Sequence, residues 1–582
     1  MTAPFSFSSL ILTLTLLCGA LTGGCASTSS STNTPLPATE PTTDASAAAS
    51  DETIEQGEFA PDTLYSLLTA EIAGQRNRFD VALNNYLEQA VTTRDAGIIE
   101  RAMEISEFLG AQQQALAMSL LWVEVVPQNP EALRAAALQL ARAGQHQEAM
   151  QFMQQVLEIT DDTHFDLLAL AALQADSDTR HGLLNNLQQL LSTHPDNPQI
   201  SFAAALLLQE EQRSEEALAL LEEHTRKNRT AASIMLQSRL YASLDNTKKA
   251  ITTLKKGVKE FPDDTRLRLL LARMLVNTED YQGAIHHFRE LSRQNPEEED
   301  VRLAIALIEL QQNNPDAAIS ELEYLLEQDA DNSNAAYHLG RAFESAGQPD
   351  AAISTWKSIR AGDEFLLSRQ NITRLLIEQQ RTDELITWMR DERSRSPQRA
   401  LELYLLEIEA LMPQHPGIAL KTVNEALSQF ESNNNLLYSR AIIAERLGLP
   451  NGLEEDLRQI LHNDPDNSMA LNALGYTLAD RNERLDEALQ LIEHAHQLNP
   501  NDPAILDSLG WVHYRLGNLA QAEALLQQAF TAFPDAEVGA HLGEVLWQQG
   551  KHREARRIWK KAAEQAEDTS LIEETRKRLE NH

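Results

Sequence analysis

A small residue, usually alanine, recurs about every 34 residues along most of the chain, and this period limits the possible fold more than any other feature. Consecutive occurrences are 33 to 35 residues apart. A period of this length is typical of stacked helical or strand units, because each unit buries its apolar side only against its neighbours. The recurring positions are Ala82, Ala115, Ala149, Leu183, Ala217, Ala250, Ala284, Ala318, Ala352, Leu385, Ala419, Leu453, Ala488, Ala522 and Ala555.

The pattern is clearest between residues 503 and 536, in Leu509, Gly510, Gly517, Ala522, Leu526, Ala529 and Pro534. Small residues are needed where two antiparallel helices come closest, and a proline lacks the N–H that would continue the second helix. The spacing resembles the tetratricopeptide repeat, a helix-turn-helix unit of about 34 residues. The resemblance implies an all-α fold: a right-handed superhelical solenoid of about 15 hairpins over residues 58–566, followed by a capping helix over residues 567–582.

Three units have leucine at the recurring position, namely those of Leu183, Leu385 and Leu453. A bulky side chain at the point of closest approach pushes two helices apart. We therefore expect these three hairpins to be slightly open.

Composition and charge exclude several classes of function. The chain has 49 basic and 86 acidic residues, a net charge of −37, which repels the phosphates of nucleic acids. It contains no phosphate-binding glycine loop, nucleophile elbow or zinc-protease motif. His494 and His496 are two residues apart, so on a helix they point in different directions and cannot chelate one metal ion. The sequence predicts no enzyme activity, no cofactor, no metal site and no small-molecule substrate.

The N-terminus carries an apolar run, Leu10 to Thr22, which is too short to span a membrane and is typical of a secretion signal. The following residues, Leu21 to Cys25, resemble a bacterial lipobox, with Thr22 where leucine is usual. The resemblance implies a signal peptide over residues 1–24, lipidation of Cys25, and an anchor at the periplasmic face of the outer membrane. The alternative is an ordinary secretion signal and an unrelated cysteine. Residues 25–57 are rich in Ser, Thr, Ala and Pro, which predicts a flexible tether.

Aromatic residues give a candidate partner-binding site. In the tetratricopeptide family, fixed positions of each first helix line the concave face, and in the last three units these positions hold Tyr476, Trp511, Tyr514 and Trp547. Exposed aromatic side chains on a rigid surface contribute much of the energy of protein recognition. The alternative is that they are ordinary core. Two other tryptophans, Trp356 and Trp559, occupy a buried position of the second helix and are predicted to be core.

The order of signal, tether and long solenoid resembles a family of outer-membrane lipoproteins that are adaptors of periplasmic carboxyl-terminal processing proteases. The likeness is strongest over residues 59–102, FAPDTLYSLLTAEIAGQRNRFDVALNNYLEQAVTTRDAGIIERA. It implies a scaffold that binds the protease together with its protein substrates, cell-wall hydrolases, and promotes their degradation. The alternative is a pilotin-type scaffold that assembles a pilus, secretion or exopolysaccharide-export machine.

Overall fold

The computed structural model describes residues 59–160, 163–224, 229–449, 452–566 and 568–580. The predicted signal peptide (1–24), the lipidation site Cys25 and the whole of the predicted tether (25–57) lie outside these residues. The regular structure of the described residues is entirely helical. The α-helices are α1 Pro61–Gln75, α2 Phe79–Thr93, α3 Ala96–Phe108, α4 Gln112–Val125, α5 Pro130–Arg142, α6 His146–Ile159, α7 Phe165–Ala172, α8 Ser177–Thr193, α9 Pro198–Glu210, α10 Ser214–His224, α11 Ala231–Ser243, α12 Thr247–Glu260, α13 Thr265–Asn277, α14 Tyr281–Gln294, α15 Glu299–Gln311, α16 Pro315–Gln328, α17 Ser333–Ser345, α18 Pro349–Ser358, α19 Glu364–Glu378, α20 Thr382–Arg395, α21 Ala400–Leu411, α22 Pro416–Gln429, α23 Asn434–Arg446, α24 Gly452–Asn463, α25 Ser468–Asp480, α26 Leu485–Leu498, α27 Pro503–Arg515, α28 Leu519–Ala532, α29 Ala536–Gln548, α30 His552–Ala563 and α31 Ser570–Glu580.

Consecutive helices pack in pairs, from α1 with α2 to α29 with α30. Over the described residues this makes 15 hairpins followed by α31, which confirms the predicted all-α repeat fold. The chain divides into two compact units. One ends at Val125 and contains α1 to α4, and the other begins at Val126 and contains α5 to α31.

Asparagine and aspartate start many of the first helices of the hairpins. Asp502, for example, accepts hydrogen bonds from the backbone N–H groups of Ala504 and Ile505 at 2.9 and 3.2 Å, in front of a proline at the first position of α27. Such caps satisfy N–H groups that have no partner within the helix. The recurring Asp, Asn and Pro of the sequence are therefore signals for helix starts.

The recurring small residue is buried in every unit. All fifteen positions, including the three leucines, lie in the second helix of a hairpin and are at most 3% exposed. At this position the second helix contacts the core. The size of the side chain there therefore affects how closely the two helices of the hairpin approach.

The leucines open two of the three hairpins in question. The pairs α7/α8, with Leu183, and α19/α20, with Leu385, approach each other closely at far fewer points than the other hairpins. The expectation is wrong for Leu453, since α23 and α24 pack as closely as an ordinary pair. Ala441 and Ala444 on α23 belong to the buried core there, and their small side chains leave room for the leucine.

Trp356 and Trp559 are core residues, as predicted, with 0% and 1% of their surfaces exposed. Each ring covers a glycine of the preceding helix, Gly340 or Gly543, where a Cβ would overlap the indole. The Nε1–H of Trp356 also donates to the carbonyl of Tyr337 at 2.9 Å. The glycine of the Leu-Gly pair in these repeats is thus explained, because the indole ring occupies the space where a side chain would lie.

The final helix, α31, packs against α29. It buries Ile572 and Leu579 in the cluster that also contains Leu542 and Trp559. Arg578 donates to Glu544 of α29 at 3.0 Å. The apolar side of the last hairpin is thereby covered.

Candidate partner-binding site

The predicted aromatic residues are on three successive first helices: Tyr476 on α25, Trp511 and Tyr514 on α27, and Trp547 on α29. The structure brings three of them together around His541 of α29. The Trp511 ring stacks on the His541 ring, with centroids 4.0 Å apart and planes at 21°. The Tyr514 ring lies 5.0 Å from Trp511, and the Tyr476 ring lies 6.0 Å from His541. We call Tyr476, Trp511, Tyr514 and His541 the aromatic cluster.

Trp547 is not part of the aromatic cluster. Its ring contacts His552 edge-on, with centroids 4.1 Å apart, and lies 5.7 Å from Trp559. The guanidinium of Arg556 is 5.0 Å from its centroid, a cation–π distance. Trp547 therefore belongs to the packing of the last hairpin.

Acidic residues surround the aromatic cluster. The hydroxyl of Tyr476 donates to Glu537 at 2.7 Å, and that of Tyr514 donates to Glu544 at 3.0 Å. Burial, reinforced by these carboxylates, raises the pKa of Tyr476 and raises the pKa of Tyr514 to about 12. Both tyrosines therefore stay neutral hydrogen-bond donors at physiological pH.

A buried ion pair lies beneath the Trp511 ring. Nδ1 of His541 is 3.0 Å from Asp507, and both side chains are buried. Burial lowers the pKa of His541, but the Asp507 carboxylate outweighs it, and the pKa is raised above its ordinary value. The pair joins α27 to α29.

Burial changes what the aromatic cluster can offer a partner. Trp511 is only 4% exposed, and its Nε1–H has no hydrogen-bond partner among the described residues. Only the half-buried rings of Tyr476 and Tyr514 reach the surface. Trp511 thus holds two hairpins together, and its direct contact with a partner stays a prediction.

A larger exposed apolar surface lies on α1, which sequence reasoning missed. Leu64, Tyr65, Leu68 and Ile72 are 50% to 74% exposed, and at 100° per residue they share one side of the helix. The buried residues of the same helix are Thr63, Ala70 and Ala73, which are small. The usual arrangement of an amphipathic helix is reversed here, because its large apolar residues face outward. We call Leu64, Tyr65, Leu68 and Ile72 the α1 stripe.

A signal for the α1 stripe is present in the sequence. Leu64, Leu68 and Ile72 are spaced by four residues in the first helix of the first described hairpin. The hydroxyl of Tyr86 on α2 donates a hydrogen bond to Glu71 of α1. The α1 stripe therefore lies on a helix that a side-chain hydrogen bond connects to its neighbour, α2.

The described part of the chain contains no group of three or more His, Cys, Asp or Glu side chains placed to hold a metal ion. Within the same residues, no helix is long and apolar enough to cross a membrane.

Comparison with protein-family models gives matches to repeat proteins. Two models described as tetratricopeptide repeat match residues 481–540 and 454–503. A model described as coatomer epsilon subunit matches residues 105–362.

Two bacterial proteins are similar in sequence. A TPR repeat-containing protein of Pseudomonas aeruginosa is 49% identical over 535 residues, which are 92% of this chain and 90% of that protein. Bacteriophage adsorption protein A of Escherichia coli is 27% identical over 132 residues, which are 23% of this chain and 13% of that protein.

Two solved structures of TPR proteins each match a part of this chain. A thermophilic TPR protein of Thermus thermophilus is 26% identical and covers 31% of this chain and 98% of its own, with a TM-score of 0.28. A TPR protein described as having an unusual peptide-binding site is 17% identical and covers 30% of this chain and 89% of its own, with a TM-score of 0.26. The family assignment therefore rests on sequence. Since the similarity to the Pseudomonas protein extends over nine-tenths of both chains, this chain belongs to the family of tetratricopeptide-repeat proteins, whose fold serves as a scaffold for protein–protein interactions.

Proposed function

We propose that the chain is a non-enzymatic scaffold, lipid-anchored through Cys25 at the periplasmic face of the outer membrane. It binds a carboxyl-terminal processing protease and presents the substrates of that protease, cell-wall hydrolases, for degradation. The observation that carries the proposal is the α1 stripe, because it lies in the segment, residues 59–102, that most resembles the adaptor family. The protease binds at the α1 stripe.

The exposed area supports a protein as the occupant. From the exposed fractions, Leu64, Tyr65, Leu68 and Ile72 present on the order of 500 Å² of surface on one helix, near the upper limit for the largest apolar patch of a soluble monomer. Patches of this size, centred on an aromatic side chain such as Tyr65, are typical of protein interfaces. Small-molecule sites are concave, whereas the α1 stripe is the convex side of a helix.

Binding of the protease at the α1 stripe would exclude the substrates from that surface. If the protease occupies the α1 stripe, the substrates bind elsewhere on the solenoid. The predicted contacts there remain Tyr476, Trp511, Tyr514 and Trp547. The net charge of −37 favours encounters with basic proteins.

The test is affinity purification of the full chain, tagged at its C-terminus, from the periplasm of its own cells, followed by mass spectrometry. We expect a carboxyl-terminal processing protease with the parent chain, and its loss with Leu68→Asp. The matched control is Leu367→Asp on α19, since Leu367 is 47% exposed and Leu68 is 55% exposed. Circular dichroism of both variants checks that the helices are intact.

Each result decides one part of the proposal. Retention of the protease by Leu68→Asp would contradict binding at the α1 stripe, whereas its absence from the parent eluate would contradict the adaptor function. Recovery of secretin, pilus or polysaccharide-export components would favour the assembly scaffold. That alternative has some support, because the coatomer epsilon subunit model matches residues 105–362.

A further inference from the structure

One helix presents a continuous row of lysines to solvent. The five lysines of α12 are all exposed, and at 100° per residue they fall within an arc of about 120°. Thr252, exposed at the centre of this arc, is an uncharged polar residue. We call the set the α12 lysine face, and its members are Lys248, Lys249, Lys255, Lys256 and Lys259.

This basic charge is local and stands out against the rest of the chain. Between residues 229 and 259 the sequence has seven basic residues and one acidic residue, Asp245, whereas the whole chain has a net charge of −37. At physiological ionic strength, charges beyond about 8 Å are largely screened. A partner at the α12 lysine face therefore experiences the lysines more strongly than the distant acids.

Internal ion pairs leave most of this charge free. Among the described residues, Lys255 is the member of the face with a carboxylate within ion-pair distance, and its Nζ is 3.9 Å from Asp280. The exposed arginines of α14 differ, because Arg289 pairs with Glu309 at 3.0 Å and Arg293 with Glu290 at 2.8 Å. The α12 lysine face is thus available to an external anion.

The chemistry of the α12 lysine face indicates what kind of anionic partner it fits. Lysine is a flexible point charge, whereas arginine supplies the planar fork that recognises single carboxylates and phosphates. Protein interfaces are depleted in lysine and need an apolar centre, which this face lacks. A layer of anionic headgroups requires neither an arginine fork nor an apolar centre, since each lysine near it contributes by charge alone.

We propose that the α12 lysine face binds the surface of a membrane that contains anionic lipids. The contact holds this side of the solenoid against the bilayer and orients the rest of the chain. This contact does not depend on the lipid anchor or on the proposed protease partner. An experiment can therefore contradict the membrane contact without contradicting the proposed function, and the reverse.

The test is co-sedimentation of the full chain with vesicles of phosphatidylcholine alone or mixed with phosphatidylglycerol. The chain carries Cys25→Ser, so that no acyl group contributes, and binding is followed as the salt concentration rises. A variant with all five lysines changed to glutamine is compared with the parent. The control has the same change in net charge, again by substitution to glutamine, at five scattered, ion-paired arginines: Arg78, Arg101, Arg213, Arg293 and Arg458.

We expect the parent to bind the phosphatidylglycerol vesicles in a salt-sensitive way, and the five-lysine variant to bind at least about tenfold more weakly. The scattered control should lose less than about threefold, because it leaves the α12 lysine face intact. Equal losses in both variants would overturn the proposal in favour of a net-charge effect, and no preference for phosphatidylglycerol would overturn it outright. Photo-crosslinking from position 256 to a protein, without vesicle binding, would assign the α12 lysine face to an acidic protein instead.

Discussion

At the scale of single residues, two of the described hairpins pack tightly because a glycine faces an indole ring. Gly543 on α29 lies directly under Trp559, whose ring is fully buried in the same hairpin. Gly340 and Trp356 repeat the arrangement in an earlier hairpin. Protein interiors are too dense to absorb even one extra methyl group without a shift of the backbone or of a side chain.

Gly543→Ala is therefore expected to destabilise the chain by about 1–3 kcal/mol, because the methyl group would overlap the Trp559 ring. The measurement is the urea or thermal midpoint of unfolding followed by circular dichroism. Gly182→Ala on α8 is the matched control, since a Cβ there meets nothing within 4 Å. In that open helical position alanine should stabilise by about 0.5–1 kcal/mol. Equal effects of the two substitutions would contradict this account of the glycine.

The His541–Asp507 pair gives stability a pH dependence with a defined sign. Because the pKa of His541 is raised in the folded chain, the stabilisation by its charged form is complete below the unfolded pKa and is lost as pH rises through the folded pKa. His541→Gln should therefore cost about 2 kcal/mol near pH 6 and less near pH 9. Urea unfolding at both pH values measures the difference. Asp507→Asn in the parent chain should remove most of this pH dependence. If the destabilisation by His541→Gln did not change with pH, the assigned role of the His541–Asp507 pair would be refuted.

At the scale of elements, a hairpin that is open at its leucine is held together by buried charge. In α19/α20, Arg369 is fully buried and donates to Glu392 at 3.1 Å through Nε and to the carbonyl of Trp356 at 3.2 Å through Nη1. Arg393 of α20 and Glu407 of α21 form a second buried pair. These contacts connect α20 to both of its neighbours, where ordinary repeats use small apolar residues. The sequence does not reveal this substitution, because the partners lie 14 and 23 residues apart and look like surface charges.

Removing one partner of the first pair should cost more than removing both. Arg369→Met leaves Glu392 buried without its nearest cation, and we expect a loss of about 3–5 kcal/mol in the free energy of unfolding. The double variant Arg369→Met/Glu392→Leu should recover part of that loss, because no buried charge is left unpaired. Denaturant unfolding of the parent, the two single variants and the double variant measures the coupling energy. Strictly additive losses would show that the two side chains act independently.

At the scale of the whole molecule, the first and last helices differ in what they leave exposed. The last hairpin is covered by α31, which buries Ile572 and Leu579 against α29. The first helix, α1, instead presents the α1 stripe to solvent. A repeat protein needs polar ends to remain soluble, and this contrast supports the proposed binding of a partner at the α1 stripe.

The 34-residue pattern in the sequence is sufficient to predict the class of fold, the number of hairpins and the phase of the repeat. These follow from spacings within about 34 residues, since a small residue at the closest approach and a capping Asp or Asn act on their own hairpin. The burial of Ala82 through Ala555 was accordingly predictable at each of the fifteen positions.

Which apolar side chains stay exposed depends instead on how the helices pack against one another. Trp511 is buried because His541, from the next hairpin, stacks on it. The large residues of α1 are exposed because its small ones, Ala70 and Ala73, take the close contact with α2. Hydrophobic burial depends on how much area neighbours cover, and those neighbours come from other helices, so a repeat pattern cannot show which apolar residues are left over for a partner.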